Sequence, residues 1–327
     1  MDTTSPIEVL WNNIIHTFEN IDPNWLENHK KAVAEGLVIP ELDYDYCCEN
    51  GLKPPCADPE KRNIYLQQAH LEHLWAFIYS VLVIYEESVI NPMQMGNFDG
   101  EIKINNALLV RANQLFDWSI SLSNKVTLWD TSLPNPAYHH NDREKFYAEK
   151  TNGLFQSAVA YLLYHEYAHL VLGHDIYFLG RTKADMEKLS DDECSTLIQL
   201  EQEADLFALN RVNGSAETDR AKLVGGLPVF MTMFSSLLMV KYKSSIQQKR
   251  HPDLDARLAN LLFELSLNED ENSHYIYYYG CYAIIMFLRK HNIFLKPETY
   301  NTAEEYFHDL LSKLDEIKNP KEEASLL

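Results

Sequence analysis

Apolar residues recur along this chain mainly at helical spacing, and most of the elements they predict are helices. Ile7, Leu10, Trp11, Ile14, Ile15 and Phe18 make the first apolar face, opened by Ser5 as cap and Pro6 as first helical residue. A second helix opens at Asp22-Pro23 and ends near Gly36. Pro40, Pro54, Pro55 and Pro59 break all periodicity in residues 37–60, which read as irregular. From Ile64 to about Glu87 the chain is strongly apolar and must be helical in its later part, while Asn63–Gln67 reads as a short strand. The turn-rich stretch 91–100 precedes a strand candidate at 101–105, a helix from Ala107 to Leu122 and a second strand candidate at 125–129. Residues 132–145 form a polar connection into an uninterrupted apolar run, Ala158–Leu172, with Asn152 as its cap and Gly173 as its stop. A charged stretch, 181–195, leads into a helix through Leu209, with Asp191-Asp192-Glu193 as its solvated first turn. An apolar helix over 224–240 follows, then one through Leu258, Leu261, Leu262 and Leu265 that starts at Pro252 with His251 at the cap. Tyr275 to Lys290 is the last large core segment, and 312–327 is a frayed helix or tail.

Length and composition narrow the class. At 327 residues the chain suits one large domain or two small ones. The expected division is an extension over 1–60 and a domain over 61–327. The formal charge of −20, with no dense Lys/Arg cluster, excludes nucleic acid and anionic membrane as natural partners. Leu74–Tyr85 is too short to span a bilayer, and Val224–Val240 is interrupted by Gly, Pro, Thr and Ser, so both read as core helices. Cys47, Cys48, Cys56, Cys194 and Cys281 are an odd, sparse set rather than a disulfide framework, and no second Cys or His pair supports a zinc knuckle. The start, Met-Asp-Thr-Thr-Ser-Pro, has no signal-peptide pattern, so a cytoplasmic protein with reduced thiols is expected.

The chemistry concentrates in His165-Glu166-Tyr167-Ala168-His169, inside the apolar run. On a helix, residues four apart share a face with Cβ atoms about 5–6 Å apart, so both imidazoles can reach one metal ion. Glu166 can then take a proton from a water at that ion. Two satisfied core histidines are the plain alternative. Burying two His and a Glu without partners is costly, however, and a metal satisfies all three. A third ligand is expected from the next helix. Glu201 and Asp205 share a face with Leu197, Ala204 and Ala208, whose small side chains permit close approach. Glu203 points about 200° away from Glu201, so Glu201 is preferred and Glu203 is the second choice. Asp205 then either fixes the tautomer of a ligating His or pairs with an Arg. His70 and His73 read as core or surface residues, and the His139-His140 pair as solvated or lining a cleft.

In order, His165–His169, Glu201–Asp205 and His251-Pro-x-x-x-x-Arg257 resemble the gluzincin class of zinc peptidases. With Leu71-Glu72-His73-Leu74-Trp75-Ala76-Phe77 upstream, the chain is more closely similar to the Lit-type phage-exclusion peptidase family, over about residues 65–265. The resemblance implies a mainly α (α+β) fold with a small antiparallel sheet beside the motif helix, and one Zn2+ on His165, His169 and Glu201. It implies Glu166 as general base, His251 steadying the oxyanion and Arg257 anchoring acidic residues. It further implies a protein substrate such as host elongation factor Tu and a phage-derived peptide activator. Rival readings are a repressor-cleaving regulator and a helical binding module with structural zinc. The first lacks a DNA-reading element, and the second lacks a fourth ligand at a convincing spacing, although His174 is near.

Overall fold

Asn141 accepts a hydrogen bond from the Glu144 amide and starts a helix that runs thirty residues, Asp142–Val171. Such a cap stabilises a helix by about 1 kcal/mol, and the acidic first turn suits the helix dipole. The motif helix thus begins ten residues before Asn152. Asn152 is not a cap, because its Oδ1 accepts from Trp75 Nε1–H at 2.8 Å. The expected stop holds: Gly173 follows with φ +77°, which favours a residue without Cβ.

The computed structural model describes residues 5–45, 51–177, 185, 188–214, 216–248, 251–267, 274–296 and 298–318. It is mainly helical with a three-stranded mixed sheet. The helix Gln68–Tyr85 is the core, with every residue from Ala69 to Tyr85 buried. It packs on the motif helix and on Ala107–Ser121. His73 joins three helices, its Nδ1 3.0 Å from the Ser119 carbonyl and its Nε2 3.2 Å from the Ser235 carbonyl. His70 is buried with neither ring nitrogen partnered. Both are core residues, and neither is a ligand. The stretch Gln68–Gln94 and the helix Asp219–Met239 are long and apolar enough to cross a membrane, but 83% and 61% of their apolar windows are buried in the protein.

The strands are Asp43–Asp45 (β1), Cys56–Asp58 (β2) and Asn63–Gln67 (β3). β3 is central, parallel to β1 and antiparallel to β2, so the sheet is mixed rather than antiparallel. Asn63–Gln67 is the expected strand. Residues 101–105 and 125–129 are not strands, for neither finds a strand partner. Trp129 packs instead on Trp75 and Trp118, with ring centroids 5.6 and 4.8 Å away.

The N-terminal helices form as expected, Ser5 capping the first turn and Gly36 (φ +72°) ending the second helix. They pack on the back of the motif helix, where Tyr164 donates to the Phe18 carbonyl at 2.8 Å and Trp25 meets Tyr167 at 5.0 Å. Helix Asp191–Asn213 opens with a Ser190/Glu193 capping box. Helix Leu254–Leu265 begins two residues after Pro252, with Asp253 at the N-cap position and its carboxylate accepting from the Gln248 amide rather than from the helix. The chain beyond 311 is not frayed up to Lys318, which ends helix Ala303–Lys318 and binds Asp253, Asp255 and Asp315. Gly280 lets this helix close in, since a Cβ there would stand 2.4 Å from Phe307 Cε2. Cys47 and Cys48 lie outside the described residues, and Cys194 and Cys281 are free thiols.

Candidate functional site

Helix Asp191–Asn213 lies along the motif helix, and the small face carrying Ala204 and Ala208, both fully buried, allows the approach. That contact brings Glu201 to the two imidazoles. His165 Nε2 and His169 Nε2 are 3.3 Å apart. His165 Nε2 lies 3.4 Å from Glu201 Oε2, and His169 Nε2 lies 3.5 Å from Glu201 Oε1. Donors bound at about 2.0–2.1 Å in a tetrahedral set stand about 3.3–3.4 Å from one another. The three buried side chains therefore have the spacing to hold one small metal ion. Among the described residues the group has these three members and no fourth.

The surrounding charges favour a cation. Glu201 and Asp205 are buried carboxylates; burial works against their ionisation, but His165 and His251 hold Glu201, and Arg257 and His165 hold Asp205, well below the usual range. Burial pulls His165 down, yet Asp205, Glu201 and Glu166 outweigh it and push the ring up to about 10. A divalent ion held by His165 would meet the same demand for positive charge in place of that proton. His169 is lowered to about 3 by burial and by the charge on His165, so it offers a neutral ring.

Each of the two rings that could hold a metal also has a polar neighbour at its outer nitrogen. His165 Nδ1 sits 2.9 Å from Asp205 Oδ1. Asp205 in turn accepts from Tyr161 Oη–H at 2.7 Å and from Arg257 Nε–H at 2.8 Å. Asp205 thus pairs with Arg257 and also faces His165. His169 Nδ1 lies 3.1 Å from His174 Nδ1, and His174 Nε2 lies 3.2 Å from Glu203 Oε2. Glu203, half exposed, stands outside the donor group on the far side of His174.

Glu166 Oε2 accepts from the Ala57 amide at 2.8 Å, which ties it to β2, while Oε1 is 4.0 Å from His165 Nε2. Burial, ahead of the attraction of His165, pushes its carboxyl up to about 7. His251 Nδ1 contacts Glu201 Oε2 at 3.1 Å and its side chain is 49% exposed. The structure therefore gathers His165, Glu166, His169, Glu201, Asp205, His251 and Arg257 in one place, with Glu203 at its edge. His139 and His140 stay on the surface side of the Asn141 cap.

A family model described as Peptidase U49 matches residues 64–279, from β3 through the first part of helix His274–Lys290. The chain belongs to the Peptidase U49 family. No curated protein and no solved structure matches it. Peptide-bond hydrolysis is accordingly the activity its family membership supports, and the matched span contains every residue of the cluster except Ala57. Sequence reasoning missed three parts of this U49 site. Tyr161 was findable, since it lies one turn before His165 on the same face. His174 was noticed only as a possible fourth ligand. The Ala57 amide carries no side-chain signal at all.

Proposed function

We propose that this U49 peptidase is a zinc-dependent endopeptidase, with zinc held by His165, His169 and Glu201 and with Glu166 as general base. The observation that carries this reading is the buried donor set with edges of 3.3–3.5 Å beside a carboxyl that is fixed by one oxygen only. Bound zinc supplies a Lewis acid for the scissile carbonyl and lowers the pKa of its water to about 7. Glu166 takes the proton from the attacking water through Oε1 and returns it to the leaving amine. A carboxyl poised near 7 can do both at neutral pH. Arg257 and Asp205 hold His165 in place, and His251 swings from Glu201 to the developing oxyanion.

The motif resemblance supports a cytoplasmic protease of phage exclusion, latent until a phage-derived peptide triggers it, that cuts a host translation factor such as elongation factor Tu. Latency suits an endopeptidase that shares a compartment with its substrates. The test is to incubate zinc-loaded protein and its Glu166→Gln form with cell extract, with and without phage lysate, and to map new termini by mass spectrometry. Termini that appear only with the wild-type protein, on a translation factor and only with lysate, are expected. Equal cleavage by both forms rejects Glu166 as base, and equal cleavage without lysate rejects latency.

A further inference from the structure

His174 is absent from the donor set yet only 2% exposed, and it stands between a ligating histidine and a carboxylate on the neighbouring helix. With Glu203 ionised and His174 neutral, the protons along this chain of contacts run in one direction. Glu203 has acceptors only, so His174 Nε2 must carry the proton it receives. A neutral His174 then has a lone pair on Nδ1, which faces His169 Nδ1 at 3.1 Å. That contact is favourable only if His169 Nδ1 carries a proton, which leaves the lone pair of His169 on Nε2. Nε2 is the nitrogen that faces His165 and Glu201. A carboxylate on the flank of one helix thus sets the tautomer of a ring on another, through His174.

We propose that His174 and Glu203 are positioning residues that fix His169 in the tautomer and orientation able to bind the metal. Asp205 faces the outer nitrogen of His165 directly, at 2.9 Å. Among the described residues no carboxylate contacts the outer nitrogen of His169, and His174 bridges the gap to Glu203. The two arms differ in exposure. Asp205 is 5% exposed and held by Arg257 and Tyr161, whereas the Glu203 side chain is 58% exposed. The His169 arm is therefore the one open to solvent at its end. Glu203 was the second-choice ligand on sequence, and the assignment here gives its carboxylate a role without contact to the ion. The inference rests on the proposed metal site, and only on that part of the proposed function.

The experiment has two readouts, zinc affinity by chelator competition and the ring tautomer of His169 by long-range proton–nitrogen NMR on the zinc-free protein. The variants are His174→Phe, Glu203→Leu and Glu203→Gln, each checked for folding by circular dichroism; Glu203 is exposed enough for its variants to fold. Outer-shell partners of metal-binding histidines typically contribute 10–100-fold in affinity. His174→Phe and Glu203→Leu should weaken zinc by about that factor, with His169 losing its preference for the Nδ1–H form. Glu203→Gln, which keeps an acceptor oxygen, should fall between Leu and wild type. Unchanged zinc affinity and unchanged tautomer in folded Glu203→Leu overturn the relay and leave the metal site standing. If the wild-type chain binds no zinc, the proposed function fails. The tautomer then decides the relay alone: Nδ1–H in wild type and lost in Glu203→Leu supports it, and no difference overturns it.

Discussion

Arg257 donates to both oxygens of the Asp205 carboxylate, Nε–H to Oδ2 at 2.8 Å and Nη2–H to Oδ1. The pair joins helix Leu254–Leu265 to helix Asp191–Asn213, and the same carboxylate faces His165. Arg presents a planar fork and Lys a single point charge, so the two are not equivalent here. Arg257→Met should destabilise the protein by about 3–5 kcal/mol, the usual cost of leaving one member of a buried pair alone. Arg257→Lys should recover part of that stability and less of the zinc affinity. Urea denaturation and chelator competition check the two effects.

Glu201 and Glu203 are two residues apart on one helix, and only Glu201 belongs to the donor group. Glu201→Gln, His165→Ala and His169→Ala should each abolish stoichiometric metal binding, measured by metal analysis after dialysis. His251→Ala should keep the metal and lose about 10²–10³ in cleavage rate, as loss of one oxyanion donor does.

His70 gives a pH dependence outside the site. Burial lowers its ring to about 3, with the nearby His73 adding to the effect. The unfolded ring takes its proton near 6.5, so stability is complete above that pH. It falls by about 1.4 kcal/mol per unit as pH drops from 6.5 toward 3. His70→Leu removes two unpartnered buried nitrogens as well as the titration. Thermal melts should show it at least as stable as wild type at pH 7 and less sensitive to acid between pH 6 and 4.

Lys318 anchors the last helix to the segment that carries His251 and Arg257. Its ammonium, 6% exposed, meets Asp255 at 2.7 Å and Asp253 at 3.0 Å. Lys318→Met should lower stability by an amount between about 1 kcal/mol for an exposed pair and about 3–5 kcal/mol for a buried one. Burial opposes its charge, but Asp255 and Asp253 raise its pKa above the unfolded value. This contribution is thus full below about pH 10 and is lost as pH rises through the folded value.

What could be read from the residues was what is local. The helix periods, the two histidines four apart, the Glu201 face and the acidic first turn at Asp191-Asp192-Glu193 all follow from spacing along one element. The sheet did not, because β1 and β2 are three residues each within a stretch that alternates no pattern. Glu101–Asn105 and Lys125–Trp129 carry strand-like residues, yet Ile102, Ile104 and Leu128 face solvent. A strand is made by its partner, and these have none. Asn152 is a cap-type residue ahead of the apolar run; the cap at Asn141 and the bond to Trp75 keep it inside the helix. The Ala57–Glu166 and His174–Glu203 contacts join residues 109 and 29 apart in the chain, and no pattern along one element encodes them.

The central claim is that two imidazoles and one carboxylate from two helices share a single ion. X-ray absorption of the protein loaded with one equivalent of zinc tests it most directly. The expected spectrum has two imidazole nitrogens and light oxygen donors at about 2.0–2.1 Å, and it loses one imidazole in His169→Ala. A shell of sulfur at about 2.3 Å, or an unchanged spectrum in that variant, contradicts the account.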